Sequence, residues 1–283
     1  MKYSNNYKLR NNKVIELFEK NISIVKTIKN LNGGLSNDLF LINDIYVWRV
    51  FKNSLIDHKY ETIIMEKLDY FFIFYKDQMN ICYKFIDGHQ KEIDSYNRSL
   101  ETVIKEIKNI HKIELKTPHI WHILIPKWIE MIADKPLKKL LTSKYNIINK
   151  KLNTLNVLGD NVFCHNDIIA GNVLFNENKC FIIDWEFSGI NYYFFELGNI
   201  VCEHYINYET EEYNFDAIST DLIKKVVKYY NNNDDELSTE KVKVGIDMSH
   251  FTWALYSFLM LEQPIDYEFN YSEFAQSRMN QLE

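Results

Sequence analysis

Three polar residues in the stretch VFCHNDIIAGNVLFNENKCFIIDWEFSGINYYFFELGNIVCE, residues 162–203, have the types and spacing for chemistry. Asp167 and Asn172 stand five apart, and Asp184 follows twelve later, between the apolar run Cys180–Ile183 and Trp185. This order supplies one carboxylate to accept and orient a hydroxyl proton, then a neutral and an anionic oxygen of the kind magnesium prefers. Phosphoryl transfer asks for that combination of positioning and charge neutralisation. His165, internal to the loop, is read as a packing and hydrogen-bonding residue, with a role as base the lesser alternative. A single Asp-x-x-x-x-Asn is common by chance. The longer constraint is HND after an apolar strand, then NVLF, a turn at 176–178, a second apolar strand and IDWE. Carboxylates flanked by apolar strands are costly without partners, so a shared cation or a tight network must accompany them.

The elements that position these residues follow from periodicity. Val14, Ile15, Leu17 and Phe18 predict a first helix of two to three turns, and Ile22–Ile28 a strand. Gly33 and Gly34 allow a turn tight enough to aim N–H groups into a phosphate-sized hollow, to which Ser36 and Asn37 add donors; an ordinary hairpin turn is the competing reading. The strand YVWRVF, residues 46–51, carries Arg49 as an inward, phosphate-gripping cation beside that glycine turn, the alternative being an arginine that reaches solvent at a sheet edge. A helix over 57–68, capped by Asp57, places Glu61 where it can pair with Arg49, the alternative being a solvated glutamate. With strands over 70–75 and 79–86, residues 22–86 read as a small antiparallel sheet with one helix, and 85–88 as a hinge. Beyond it the chain is mainly helical: 99–111, with an apolar stripe at Leu100, Val103, Ile104, Ile107 and Ile110, then 121–131, 137–155, 194–206, 215–230, 238–262 and 267–279. Pro118, Pro126 and Pro136 mark starts or breaks. The fold class is α+β with two lobes, residues 1–86 for nucleotide and 87–283 for catalysis and substrate.

With 46% hydrophobic and 25% charged residues in 283, a packed globular protein is expected rather than a disordered chain. The net charge of −6 comes with no basic stripe, which argues against a nucleic-acid partner and suits a small cationic substrate. Cys82, Cys164, Cys180 and Cys202 form no C-x-x-C pair, so they are expected as free buried thiols rather than a zinc site or disulfides. The polar N-terminus lacks the apolar core of a signal peptide, and no apolar run approaches the about 18 residues of a membrane span, so a cytoplasmic setting is expected.

FCHNDIIAGNVLF, IIDWEFSGIN and FELGNIVCEHY together resemble the choline/ethanolamine kinase family, itself similar in fold to aminoglycoside phosphotransferases and protein kinases. GGLSNDLFLI with YVWRVF resembles its nucleotide loop and following strand, and SHFTWALYSF and EFAQSRM its last helices, so the likeness runs from about Leu31 to the end. The resemblance implies a two-lobed protein-kinase-like fold and an ATP- and Mg2+-dependent kinase. Its acceptor would be the hydroxyl of choline or ethanolamine, giving phosphocholine or its ethanolamine counterpart in the first step of phospholipid synthesis. By matching position, Asp167 is the base, Asn172 and Asp184 are metal ligands joined by Glu186, and Arg49 with Glu61 forms the phosphate-side ion pair. Phe187, Glu203, Tyr208, Trp253, Tyr256 and Phe274 match an acidic, aromatic amine pocket, which suits a quaternary ammonium that prefers ring faces and a nearby carboxylate. Tyr256 stands where the family often has tryptophan, and Phe187 and Phe274 where it often has tyrosine, which weakens the attraction expected for choline. A homodimer is a further expectation of the resemblance, with no interface legible. The alternatives are a kinase of another small cationic alcohol, such as an aminoglycoside or thiamine, or a nucleotide-binding pseudokinase scaffold.

Overall fold

Alternation along β3 (Tyr46–Phe51) sends Trp48 to one face of a sheet and Arg49 to the other. That split organises the first part of the chain. The structure is a computed structural model that describes residues 3–31, 37–51, 58–89, 99–176, 179–233, 235–263 and 269–282. Gly33, Gly34, Ser36 and Asp57 lie outside the described residues. The chain divides into two units, Met1–Asp87 and Gly88–Glu283.

In the first unit, β1 (Ile28–Leu31), β2 (Asn37–Ile42), β3, β4 (Ile73–Lys76) and β5 (Asn80–Lys84) form a five-stranded antiparallel sheet in the order β1-β2-β3-β5-β4. Trp48, paired with Cys82 and Phe40, faces α1 (Tyr3–Asn21), whose Val14 and Phe18, one turn apart, complete a buried cluster. Its indole N–H donates to Asn80 at 3.1 Å. The opposite face carries Arg49 and meets α2 (Lys59–Lys67), which buries Glu61, Ile64 and Met65. Two expectations need correction. The first helix runs 19 residues, because a helix once nucleated by the Val14 and Phe18 turn propagates into the polar sequence before it. Residues 22–27 are not a strand: β2 ends at Ile42, so they have no partner to pair with, and the Asn43 side chain holds them instead, accepting from Lys26 and Thr27 and donating to Ile24.

The second unit is mainly helical. Its first helix, α3 (Leu100–Ile110), buries all five residues of the expected apolar stripe. The single helix expected over 121–131 is instead a π-helical turn (Ile120–Leu124) followed by α4 (Ile125–Met131), which Pro126 opens without needing its missing N–H. Next is α5 (Lys135–Thr154), capped by Asp134, whose carboxylate accepts from the Leu137 N–H at 2.6 Å.

Strand β6 (Asn161–Cys164) pairs antiparallel with β9 (Gly189–Tyr192), and between them β7 (Val173–Asn176) and β8 (Lys179–Ile182) form a hairpin. The chain then enters α6 (Tyr193–Glu203), a short β10 (Ile206–Asn207) and β11 (Glu212–Tyr213), α7 (Thr220–Asn231), α8 (Glu236–Leu261) and α9 (Tyr271–Met279). Ser219 caps α7, so the helix expected from residue 215 is split into a 3-10 turn at Phe215–Ala217 and α7 proper. Helices α6 and α8 cross at Gly198 and Gly245: a Cβ on Gly245 would overlap the Phe194 carbonyl oxygen, and one on Gly198 the Gly245 backbone. Glycine is required here by close approach rather than by backbone angle.

All four cysteines are free and buried. Among the described residues no helix is long and apolar enough to cross a membrane.

Candidate active site

The site begins where β6 ends. Asn166 turns the chain with a left-handed φ of 70°, which asparagine tolerates better than most residues. Three bonds lock it: its N–H donates to Glu196 Oε1 at 2.7 Å, its Nδ2 to the Phe187 carbonyl at 2.9 Å, and its Oδ1 accepts from Asn191 at 2.9 Å. Glu196 is buried on α6 and its other oxygen lies 2.7 Å from His111 Nε2, while His111 Nδ1 meets the Tyr230 hydroxyl at 2.7 Å. Cys164, His111 and Glu196 lie close enough to hold a metal ion. Both histidine nitrogens and both glutamate oxygens are already engaged, however, and burial pushes the Cys164 thiol well up, away from the thiolate a metal needs. This group buttresses the loop.

Asp167 comes next. Asn172 donates its amide nitrogen to the Asp167 carbonyl at 2.9 Å and to its carboxylate at 3.1 Å, which leaves the Asn172 amide oxygen as a potential ligand. The Asn172 carbonyl accepts the Ile183 N–H at 2.9 Å, and the Ile183 carbonyl accepts from His165 Nε2 at 2.9 Å. His165 Nδ1 accepts the Asp167 N–H at 3.2 Å, so one ring nitrogen donates and the other accepts. His165 is thereby neutral, fully buried and committed to holding the loop against β8, the role expected of it. These bonds fix the start of Asp184, whose left-handed φ of 67° swings the chain into the 3-10 turn Trp185–Phe187 that carries Glu186 and Phe187.

The electrostatics follow from this crowding. Asp167 is driven well above the usual carboxylate range, first by burial and then by the charges of Glu203, Asp184 and Glu186. A buried carboxyl pressed by three nearby carboxylates makes a site that a divalent cation would relieve, and Asp184, Glu186 and the Asn172 amide oxygen are hard oxygen donors of the right type.

On the other side Phe187 meets Trp253 edge-on at 5.0 Å and Tyr256 at 5.4 Å, with Trp253 and Tyr256 5.9 Å apart on one face of α8. The Trp253 indole N–H donates to Asn199 Oδ1 at 2.7 Å, which fixes the ring, and Asn199 Nδ2 donates to the Ile168 carbonyl at 3.3 Å. Glu203 is buried at the end of α6; its Oε2 accepts from the Tyr208 hydroxyl at 2.8 Å, and its Oε1 lies 2.9 Å from Arg278 Nη2. Burial pushes the Glu203 carboxyl up and Arg278 opposes that rise. Phe274 packs against Tyr208 at 6.5 Å and lies 4.7 Å from the Arg278 guanidinium.

Sequence reasoning missed Arg278, Asn199 and Glu196. The signal was there in each case as a polar residue inside an apolar helical stripe: Arg278 falls on the buried face of Tyr271, Phe274, Ala275 and Met279, and Asn199 and Glu196 lie in the fully buried run of α6. In the first unit, Arg49 Nη1 and Glu61 Oε1 are 2.6 Å apart with both side chains buried, and His58 Nδ1 lies 2.9 Å from the other Glu61 oxygen. Asn37 is buried at the start of β2.

A phosphotransferase of the protein-kinase-like class is what this fold and loop define: an antiparallel sheet unit with a buried strand-to-helix ion pair, then a helical unit whose loop and hairpin join Asp167, Asn172 and Asp184. Comparison with known proteins narrows the class. The family described as choline/ethanolamine kinase matches residues 28–283, and the chain belongs to that family. It is 27% identical, over an alignment of 299 residues covering 90% of this chain and 84% of the relative, to a protein named probable ethanolamine kinase A from Dictyostelium discoideum. A human choline/ethanolamine kinase is 28% identical over 62% of this chain and 53% of its own length, so the matched region spans about half of that relative. Among solved structures, choline kinase from Cryptosporidium parvum superposes with a TM-score of 0.76 at 20% identity, covering 95% of this chain and 93% of that one.

Proposed function

We propose that this chain transfers the γ-phosphoryl group of ATP to the hydroxyl of choline, ethanolamine or both. The observation that carries the reading is the bonded set Asp167, Asn172 and Ile183–Asp184, which joins a base to hard oxygen ligands in one rigid loop. Asp167 orients the acceptor hydroxyl and takes its proton as the oxygen bonds to phosphorus; the bond from phosphorus to the bridging oxygen of ADP breaks, and ADP leaves. Asn172, Asp184 and Glu186 would hold Mg2+, which supplies charge neutralisation at the phosphates when bound. It would also return Asp167 toward the ionised form that a base requires. Arg49, kept straight by Glu61, grips nucleotide phosphate, with Gly33, Gly34, Ser36 and Asn37 as further nucleotide contacts.

The amine end is assigned to Glu203 and Tyr208 with the rings of Phe187, Trp253, Tyr256 and Phe274. A carboxylate beside ring faces attracts a cation whether or not it can donate N–H bonds. A cytoplasmic setting and a homodimer belong to the same proposal. The test is coupled ADP release from purified protein over a panel of choline, ethanolamine, their methylated intermediates, an aminoglycoside and thiamine, with and without Mg2+. Release with choline or ethanolamine, lost on chelation, is expected; release only with the aminoglycoside or thiamine, or with none, overturns the reading.

A further inference from the structure

Arg278 is, among the described residues, the most deeply buried cation of the second unit, with 0% of its surface exposed, and nothing in the assigned chemistry uses it. Its guanidinium is stacked between the rings of Phe274 and Phe215, at 4.7 and 5.0 Å, so it cannot swing away. Nη2 meets Glu203 Oε1 at 2.9 Å and Nη1 donates to Ser249 Oγ at 3.2 Å. From Ser249 the bonds continue: Oγ donates to Asn199 Oδ1 at 2.8 Å, the same oxygen that takes the Trp253 indole N–H, and Asn199 Nδ2 reaches the Ile168 carbonyl next to Asp167. One arginine thus ties the amine-side carboxylate, the tryptophan and the loop of the base into a single buried network.

We propose that Arg278 is a positioning residue for amine recognition: its forked guanidinium holds Glu203 in one rotamer against Tyr208 and keys it to the Trp253 and Asp167 loop through Ser249 and Asn199. This rests on the reading that Glu203 takes the amine. A lysine has no planar fork and cannot meet Glu203 and Ser249 together while lying between two rings. The pair has a second consequence. Because Arg278 neutralises Glu203, the pocket does not present a full free negative charge, and the cation is recognised by a held carboxylate and oriented rings rather than by excess charge. The groups that face Glu203 are Arg278 from α9, Tyr208, Asp167 from the loop and, beside it on its own helix, Cys202. Without Arg278 the Tyr208 hydrogen bond alone would be left to oppose burial, and the carboxyl would hold its proton more strongly than it does now.

The experiment is a double-mutant cycle on amine KM with Glu203→Gln, Arg278→Gln and the double variant, with Arg278→Lys alongside and thermal unfolding recorded for each. Losing one partner of a buried charge pair is expected to raise the amine KM about tenfold or more in Arg278→Gln, with a smaller change in kcat and in the KM for ATP. That KM should fall again as pH rises, more steeply than in the wild type, and Arg278→Lys should recover only part of the loss. If Arg278 acts through Glu203, the double variant has the amine KM of Glu203→Gln alone, within about twofold. Additive effects in the cycle, or an unchanged amine KM in Arg278→Gln, overturn the inference. Should Arg278→Gln not fold, Glu203→Gln against the double variant, which leaves no lone buried charge on either side, decides the same question. Turnover by the wild type with an additive cycle removes this inference alone; no turnover by the wild type on any amine removes the functional reading and the inference with it.

Discussion

The backbone N–H of Ile183 donates to the carbonyl of Asn172 at 2.9 Å, joining the residues that lead into and follow the β7–β8 hairpin. Asn172 also donates to Asp167, and His165 donates to the Ile183 carbonyl. Asp167, Asn172 and the residue before Asp184 thus share one bonded frame.

Asp167→Ala is expected to lower kcat by roughly 10²–10⁴-fold, the share a positioned general base supplies. Nucleotide affinity should be nearly unchanged. Thermal stability should hold or rise, because the substitution removes a buried carboxylate pressed by Glu203, Asp184 and Glu186. Steady-state kinetics, nucleotide titration and a melting curve check the three parts; unchanged turnover would refute the assigned role.

Gly245→Ala places a methyl group on the Phe194 carbonyl oxygen, a backbone atom that cannot rotate away. Helices α6 and α8 must separate to admit it. A loss of about 1–3 kcal/mol or more is expected from overpacking, measured by denaturant unfolding. Gly159→Ala is the contrast. That glycine has a φ of 85° but nothing near its would-be Cβ, so its cost is backbone strain alone, and the order of the two effects tests the packing argument.

Glu61→Gln leaves Arg49 buried beside a neutral group in place of its carboxylate, and Glu61→Ala removes that group altogether. Breaking a buried ion pair by removing one member costs about 3–5 kcal/mol, so Glu61→Ala should be clearly less stable than Glu61→Gln. If Arg49 grips nucleotide phosphate, both variants also raise the KM for ATP while the amine KM moves little. Equal effects on both substrates would instead indicate a general loss of structure.

His119 has its pKa lowered to about 4, chiefly by burial, with the charge of His122 adding to the effect. The unfolded chain takes up that proton near 6.5 and the folded chain only near 4, so between those values the unfolded state binds more protons. Stability from His119 is full above about pH 6.5 and falls as the pH drops toward 4, by up to about 2 kcal/mol at pH 5. His204 and His250 act in the same direction, whereas the raised carboxyls of Asp167 and Glu203 act in the opposite one. His119→Gln should therefore flatten the stability curve between pH 7 and 5 by that share. A curve parallel to the wild type would count against a buried neutral imidazole.

The apolar stripe of α3, the strand YVWRVF and the loop between β6 and β7 were legible because each obeys a local period or spacing. Failures came where a partner far along the chain decides the local state. Residues 22–27 have strand-forming composition, yet the strand they would need stops at Ile42. The 121–131 segment has one apolar face, yet it divides at Leu124 into a wide turn and a short helix.

Residue order alone pointed to Asp167, Asn172 and Asp184 as the candidate base and metal-type ligands, since they are set by their own short loop and hairpin. It raised the pairing of Arg49 on β3 with Glu61 on the next helix as one of two readings, and the packing of α2 on the sheet decided for it. Only the tertiary structure decided what surrounds Glu203. Arg278 reaches it from 75 residues away, and the contact depends on how α9 packs on α8 and α8 on α6, where two glycines let the backbones touch. No spacing rule encodes that meeting, because it is a property of helix packing rather than of chain neighbours.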